Sequence, residues 1–232
     1  MEWNEKILGE INYGKEIVQK EEKEKLAKKV ASFAKNGEVI GFGSGSTSFL
    51  TAIEIGKRVA QENLKIVAIP TSYEIKRLCA KLCIPTASLL EKRPDWCFDG
   101  TDEIDENGWL IKGRGAAMFK EKLNIKASTK TYILADKSKV VQTLGTKCPV
   151  PVEVYPNAIC LVTEELKKIG ATKIDLRLAV KKDGPVITEN GNVILDVFFA
   201  SIDATLEQKI KSITGVLESG LFIGYHIESI ME

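Results

Sequence analysis

The segment spanning residues 99–122, DGTDEIDENGWLIKGRGAAMFKEK, concentrates side chains that can move protons. It holds five acidic residues, an apolar stretch that ends at Lys112, and a glutamate, Glu121, in a predicted helix. The chain has one histidine, His226, close to its C-terminus. Proton transfer near neutral pH therefore falls to carboxylates and lysines, since a partly buried carboxylate can act as a general base and an ammonium can stabilise an oxyanion. This predicts acid–base chemistry without histidine, metal or organic cofactor.

A second candidate site is the glycine- and serine-rich segment 41–47, GFGSGST, between a predicted strand and a predicted helix. Amides at a helix N-terminus favour an anion, and the hydroxyls of Ser44, Ser46 and Thr47 add donors. The segment lacks the lysine and the spacing of a nucleotide P-loop. It predicts a binding site for a phosphate monoester, and the alternative is a plain turn with a serine N-cap.

Two aspartates, Asp99 and Asp102, follow a predicted strand that ends at Phe98. This places them at the carboxyl edge of a sheet, where open α/β folds bind ligands. The alternative is an acidic surface turn, an interpretation that suits the neighbouring acids Glu103, Asp105 and Glu106.

Lysines at two other strand ends are candidates for binding negative charge. Lys112 precedes a glycine-rich turn, where an ammonium beside backbone amides can stabilise an enediolate; the alternative is a lysine that extends from the sheet rim into solvent. Lys139 lies in ADKSK after another strand. Glu121 is flanked by lysines, and by itself such a glutamate is usually solvent-facing.

The first two-thirds of the chain alternates strand and helix patterns, which predicts a mostly parallel sheet covered on both faces. Thr71 and Glu74 form a T-x-x-E pattern that predicts a capping box at the start of one helix. The predicted helices span 19–36, 46–61, 71–82 and 115–127, and the predicted strands span 38–42, 65–69, 96–98, 109–111 and 132–135.

After the proline-rich segment CPVPVEVYP the order becomes β-α-β-β-α-β, which fits a ferredoxin-like unit. Its predicted strands span 152–154, 174–180, 192–199 and 221–223, with helices over 158–169 and 204–213. We predict an α/β protein with a Rossmann-like catalytic domain (1–145 and 222–232) and a smaller ferredoxin-like α+β lid domain (146–221). His226 lies in an alternating segment that predicts an outer strand, so we interpret it as structural.

Composition narrows the function classes. A net charge of +1 in 232 residues does not indicate binding to nucleic acid or to an anionic membrane. The lysine- and glutamate-rich segment 20–29 is interpreted as a solvated helix face. No apolar run is long enough to span a bilayer, and the N-terminal MEWNEKILGE is acidic, which predicts a cytoplasmic protein. Five cysteines without a CxxC pair are interpreted as structural thiols, with Cys79 and Cys83 in the core, and not as zinc ligands.

Taken together, the motifs resemble type A ribose-5-phosphate isomerase over nearly the whole chain. The matching segments are GFGSGST, DGTDEID, LIKGRGAAMFKEK, LADKSK, PVEV, TENGNVILD and GVLESGLF, in this order. The resemblance implies interconversion of D-ribose 5-phosphate and D-ribulose 5-phosphate in the non-oxidative pentose phosphate pathway. It also implies no metal or cofactor, a Rossmann-like domain with a ferredoxin-like lid, and a homodimer or homotetramer.

The resemblance also implies roles for individual residues. Glu121 is the general base, Lys112 stabilises the oxyanion, Asp99 manages proton exchange between O1 and O2, and Asp102 assists ring opening. Contacts with the substrate are implied for Ser44, Gly45, Ser46, Thr47, Gly100, Thr101, Gly113, Arg114, Gly115 and Lys139.

Two positions depart from the family's pattern, and a third matches it ambiguously. Ser44 stands where the family usually has threonine, and Arg114 interrupts a usually continuous glycine run. Lys23 aligns with a phosphate-contacting lysine of the family. The surrounding segment 20–29 is rich in lysine, so its neighbouring lysines allow other alignments.

Three other functions remain open. A CoA-transferase-like enzyme would form an acyl-CoA intermediate at Glu121, and a sugar-phosphate deaminase would release ammonia from an amino sugar phosphate. A catalytically silent sugar-phosphate sensor would need a further binding module, and no part of the sequence is left over for one.

Overall fold

The computed structural model describes Tyr13 and residues 16–231. The acidic segment MEWNEKILGE, on which the cytoplasmic prediction partly rests, lies outside the described residues. No helix in the described part of the chain is long and apolar enough to cross a membrane.

The helices and strands are numbered in chain order. The helices are α1 (Lys20–Ala31), α2 (Ser46–Glu62), α3 (Tyr73–Lys81), α4 (Met118–Ala127), α5 (Ile159–Lys168) and α6 (Leu206–Lys211). The strands are β1 (Val39–Phe42), β2 (Val67–Pro70), β3 (Trp96–Gly100), β4 (Glu103–Ile104), β5 (Leu110–Ile111), β6 (Lys130–Ala135), β7 (Val150–Val154), β8 (Ala171–Leu176), β9 (Val193–Phe199), β10 (Val216–Ser219), β11 (Leu221–Phe222) and β12 (Glu228–Met231).

The chain forms two compact units. Unit 1 contains the described residues up to Gly100, Leu123–Ser138 and the residues from His226 onward. Unit 2 contains Thr101–Lys122 and Lys139–Tyr225. The predicted catalytic domain spans 1–145 and 222–232, and the predicted lid domain spans 146–221. These domains differ from the two units mainly in residues 101–122. The division of the chain into folding domains stays a prediction.

Unit 1 is built on a five-stranded sheet in the order β12-β6-β3-β1-β2, and all four pairings are parallel. Its central strands are almost entirely buried because helices cover a parallel sheet on both faces. Phe42 and Phe98 on neighbouring strands pack with their ring centroids 4.9 Å apart. The predicted Rossmann-like parallel sheet is confirmed.

Unit 2 contains a four-stranded antiparallel sheet in the order β10-β7-β9-β8. Together with α5 and α6, this is the β-α-β-β-α-β arrangement predicted from the sequence. Its core is aliphatic, formed by residues such as Val152, Val197 and Leu166. A separate three-stranded sheet, β11-β5-β4, also belongs to this unit.

Several predicted ends were wrong. The fourth strand of the ferredoxin-like sheet is β10, and the predicted strand 221–223 instead pairs as β11 with β5. Helix α3 is capped by Ser72, whose hydroxyl accepts from the Ile75 amide, and not by Thr71. Helix α1 ends at Ala31, and α4 starts three residues later than predicted, since the glycine turn before it is not helical.

The cysteine interpretation holds in part. None of the five cysteines, all of which lie within residues 16–231, forms a disulfide. Cys79 is fully buried, and burial raises the pKa of its thiol to about 12. Cys83 is exposed, so its placement in the core was wrong, because α3 ends at Lys81 and Cys83 follows in a left-handed conformation.

Candidate active site

Asp99 is a buried carboxylate at the carboxyl end of β3 in unit 1. Its Oδ1 accepts hydrogen bonds from the Ser44 amide and the Ser48 hydroxyl, both at 3.2 Å, and from the Gly100 amide at 2.8 Å. Gly43 makes this close approach possible, since a Cβ there would lie 2.3 Å from the Asp99 carboxyl carbon. Asp99 is therefore held in a fixed orientation at the sheet edge where open α/β folds bind ligands.

The start of α2 has the features of an anion site. Among the described residues no side chain caps this end, and the N-cap position is Gly45. The ammonium of Lys23, a residue that is 7% exposed, donates to the Ser46 hydroxyl at 3.2 Å. Uncapped amides beside a buried ammonium favour a bound anion. The interpretation of segment 20–29 as a solvated face was therefore wrong for Lys23.

The Ser44 hydroxyl is engaged inside unit 1. It lies 2.7 Å from the hydroxyl of Thr71, which donates to the carbonyl of Phe42 at 3.1 Å. Since a hydroxyl carries one proton, Ser44 is the donor between the two. Ser44 thus fixes the turn, while Ser46 and Thr47 are the hydroxyl groups at the helix start.

In unit 2, Lys112 and Glu121 form a buried ion pair. The Lys112 ammonium lies 3.1 Å from Oε2 of Glu121, and the two residues are 3% and 5% exposed. The Phe222 ring centroid lies 5.7 Å from the ammonium. Glu121 lies in the first turn of α4 and is buried. Its lysine-flanked sequence alone would have indicated a solvent-facing side chain. A base and a cation with little water around them interact strongly with charge on a reacting group.

Gly220 positions the Lys112 backbone. The amide of Lys112 donates to the Gly220 carbonyl at 2.9 Å, and the Gly220 amide donates to Pro151 at 2.7 Å. A Cβ at residue 220 would lie 2.1 Å from the Lys112 carbonyl oxygen, so a side chain cannot be accommodated there. Gly220, between β10 and β11, therefore fixes the position of the Lys112 backbone at the end of β5.

The turn after Lys112 is held by Asp102. Its Oδ2 accepts from the Arg114 amide at 3.1 Å, and its own amide donates to the carbonyl of Ile111 at 2.9 Å. Arg114 and Gly115 are exposed, whereas Gly113 is buried. The hydroxyl of Thr101 shares its one proton within the unit between the carbonyls of Glu103 and Ile111, at 2.6 and 3.0 Å.

Glu103 organises the segment that follows Lys139. It is fully buried, and its carboxylate accepts from the amides of Gly145, Lys147 and Cys148 at 2.5 to 2.8 Å. Its interpretation as a surface acid was wrong, because a distant loop encloses it. Lys139 is partly exposed at the end of a short helical turn before this loop.

The predicted site residues thus separate into two groups. Asp99, Gly100 and residues 44–47 are organised within unit 1, and the remaining residues within unit 2. The first group can bind an anion, and the second contains a candidate base paired with a cation.

Comparison with known proteins identifies the family. Residues 67–231, well over half of the chain, match the family model described as ribose 5-phosphate isomerase A (phosphoriboisomerase A). The chain belongs to this family. Ribose-5-phosphate isomerase A of Methanocaldococcus jannaschii is 44% identical over 200 residues, covering 85% of this chain and 88% of the relative. The relative from a Synechococcus species is 45% identical over 206 residues, covering 87% and 88%.

Solved structures of ribose-5-phosphate isomerases agree with the fold. The Methanocaldococcus jannaschii isomerase A superposes with a TM-score of 0.87 at 41% identity, covering 90% of this chain and 93% of that one. A D-ribose-5-phosphate isomerase in complex with phospho-erythronic acid gives a TM-score of 0.88 at 40% identity, covering 91% and 94%. Both chains match along nearly their full lengths.

The motifs of this isomerase family did not point to Lys122, which lies next to Glu121. Its ammonium contacts Glu207 at 2.8 Å and Glu218 at 2.9 Å, and donates to the carbonyls of Ser219 and Leu221. Sequence reasoning missed it because a lysine in FKEK has no local sign of burial. Ser48 and Thr71 were missed as well, although both are hydroxyl residues next to predicted strand or helix ends.

No cluster of three or more histidine, cysteine, aspartate or glutamate side chains that could hold a metal occurs among Tyr13 and residues 16–231. A reaction without metal stays a prediction.

Proposed function

We propose that this isomerase interconverts D-ribose 5-phosphate and D-ribulose 5-phosphate through an enediolate. The proposal rests on the buried Lys112–Glu121 pair, in which the ammonium and the carboxylate are 3.1 Å apart. Moving a carbonyl between adjacent carbons requires a base beside an oxyanion-stabilising group, and this pair supplies both.

Under this proposal Glu121 removes the C2 proton of the open-chain aldose, and the electron pair of that bond forms the C1–C2 double bond. The negative charge develops on O1, where Lys112 stabilises it. Glu121 then returns its proton to C1, while the C2 carbonyl forms and the proton from O2 is transferred to O1. Asp99 would manage the exchange between O1 and O2, and Asp102 would assist ring opening.

The phosphate would be bound by groups that take no part in the proton transfers. The amides at the start of α2, with Ser46 and Thr47, are suited to it, and the Lys23 ammonium beside Ser46 supports this assignment. Lys139 would be a further cation. Binding energy from this remote group can position the reacting carbons.

The direct test is a coupled assay with ribose 5-phosphate, run with and without a chelator. Formation of ribulose 5-phosphate supports the proposal. Formation of an acyl-CoA enzyme or release of ammonia from an amino sugar phosphate would instead support one of the rival functions. The proposed homodimer or homotetramer is tested by sedimentation equilibrium.

Lys139→Ala and Thr47→Ala are each expected to raise KM roughly 10-fold or more with a smaller effect on kcat, because they would lose contacts to the phosphate. Lys112→Ala is expected to lower kcat by about 10²-fold, since it removes the group that stabilises the oxyanion. Steady-state kinetics separates the two effects, and Lys137→Ala is the matched control because Lys137 is an exposed lysine in the same turn as Lys139. Equal weakening of phosphorylated and unphosphorylated inhibitors by Lys139→Ala would refute its role.

Activity is expected to survive exhaustive EDTA treatment, because the Lys112 ammonium already supplies the positive charge that a metal would provide. His226→Ala is expected to stay within about twofold of the wild-type kcat, as for a residue outside the proton-transfer set. His226 is exposed and precedes β12. Loss of activity on chelation and its recovery with Mg²⁺ or Zn²⁺ would contradict the metal-free mechanism.

A further inference from the structure

Arg177 links the sheet of unit 2 to the turn that follows Lys112. It comes directly after β8, and its side chain is 16% exposed. One guanidinium nitrogen, Nη1, donates to the carbonyls of Gly113 and Arg114 at 2.9 and 3.0 Å. No sequence motif pointed to this residue.

Asp196 on β9 orients the guanidinium. The Arg177 Nε donates to one carboxylate oxygen at 2.9 Å, and Nη2 donates to the other. This two-point contact fixes the plane of the guanidinium and directs Nη1 at the turn. A lysine could supply the charge but not this geometry.

The direction of the two carbonyls determines the direction of two amides. In a trans peptide the N–H points opposite to the C=O of the same peptide unit. With the carbonyls of Gly113 and Arg114 turned toward Arg177, the amides of Arg114 and Gly115 point to the opposite side. The Arg114 amide is on the side of Asp102, whose Oδ2 accepts from it.

The turn needs support from outside because its backbone is strained. Ala116 has φ of 59°, which side-chain-bearing residues rarely adopt, whereas glycine accommodates the φ of 102° at residue 113. Such conformations persist where surrounding contacts hold them. Arg177 on one side and Asp102 on the other provide contacts of this kind.

We propose that Arg177, oriented by Asp196, is a positioning residue for the isomerase reaction. It acts by holding the turn with the Arg114 amide on Asp102 and the amide of Gly115 facing the negative charge that develops on the substrate. The inference rests on the proposed function, and it assigns to Arg177 no contact with the substrate. It also accounts for the tolerance of Arg114 at a glycine position, because the backbone of this residue serves the site while its side chain is exposed.

Arg177→Ala is expected to lower kcat by roughly 10²-fold, the effect of misplacing a catalytic group by about 1 Å, and to change KM little. The binding probes are phospho-erythronic acid, whose carboxylate is planar and anionic like an enediolate, and inorganic phosphate. The variant is expected to bind the acid more weakly and inorganic phosphate as wild type does. Circular dichroism and the thermal midpoint establish that the variant is folded.

Three further variants separate positioning from charge and from stability. Arg177→Lys is expected to behave like Arg177→Ala, and Asp196→Asn to lose less activity because one acceptor oxygen remains. Added methylguanidinium is expected to restore part of the kcat of Arg177→Ala. Lys173→Ala is the control, since Lys173 forms an exposed ion pair with Asp175 on β8.

Full activity of Arg177→Ala in an active wild-type background would overturn the inference and leave the proposed function intact. Full recovery by Arg177→Lys would overturn it too, as would equal weakening of both probes. An inactive wild-type enzyme would overturn the proposed function, and with it this inference.

Discussion

Glu121→Gln is expected to bind ribose 5-phosphate normally and to lose at least about 10³-fold in kcat. Glutamine keeps the shape of the side chain but cannot accept the substrate proton, and positioned acid–base groups contribute about 10²–10⁴-fold. The loss is placed in the upper part of this range because Glu121 is 5% exposed, which leaves little space for water to act as a substitute base. Steady-state kinetics gives kcat and KM, and uptake of solvent deuterium into the sugar measures proton abstraction directly.

The control is Glu106→Gln, which removes an exposed carboxylate from the turn between β4 and β5. It is expected to retain wild-type kinetics. If Glu121→Gln still incorporated solvent deuterium at nearly the wild-type rate, Glu121 would not be the base.

Lys122→Met is expected to lower the free energy of unfolding by about 3–5 kcal/mol, the usual cost of removing one partner from a buried ion pair. Lys122 is 5% exposed and contacts two carboxylates, Glu207 and Glu218, so methionine leaves both without this cation. Glu207 also accepts from the Tyr225 hydroxyl at 2.9 Å, and the buried network extends through it. Urea denaturation followed by circular dichroism measures the change.

The deficit is expected to shrink in acid. Burial opposes ionisation of Glu218, but Lys122 and the Ser219 amide outweigh it and hold the pKa of Glu218 below its usual value. A carboxyl whose pKa is lowered by folding adds stability above its unfolded pKa of about 4.3, and this stability is lost as pH falls through the folded pKa. Wild type therefore loses more stability than the variant over this acidic range.

Lys126→Met provides the matched control for Lys122→Met, because Lys126 is an exposed lysine on the same helix. It is expected to change stability by no more than about 0.5 kcal/mol. Adding Glu207→Gln and Glu218→Gln to Lys122→Met is expected to recover part of the loss, since neutral amides are easier to bury than carboxylates. A deficit that is the same at pH 7 and at pH 3 would contradict the electrostatic explanation.

Much of the fold could be predicted from local sequence. The alternation of short apolar runs with helical patterns predicted the parallel sheet, and the order of elements after Pro151 predicted the antiparallel one. Strand ends were less predictable. Both β10 and β11 lie in a short apolar segment, and their separation depends on Gly220, whose close contact with Lys112 is a long-range feature.

Sequence alone also determined which chemical groups are available and in what order. One histidine, two aspartates after a strand, a lysine before a glycine turn and a glycine–serine segment before a helix restrict the chemistry to carboxylates, ammonium groups and backbone amides. These features depend on neighbours within a few residues, so they could be inferred without a structure. They led to the family that the comparisons then identified.

Only the tertiary structure decided which charged side chains are buried. Lys23, Glu103, Glu121 and Lys122 all occur in charge-rich segments that are usually solvent-facing, yet each is 7% exposed or less. Their partners lie from 9 to 99 positions away in sequence, as when Lys122 donates to the carbonyl of Leu221. Burial of a charge depends on whether distant chain segments bring opposite charges or hydrogen-bond partners to it, and local sequence patterns carry no information on that.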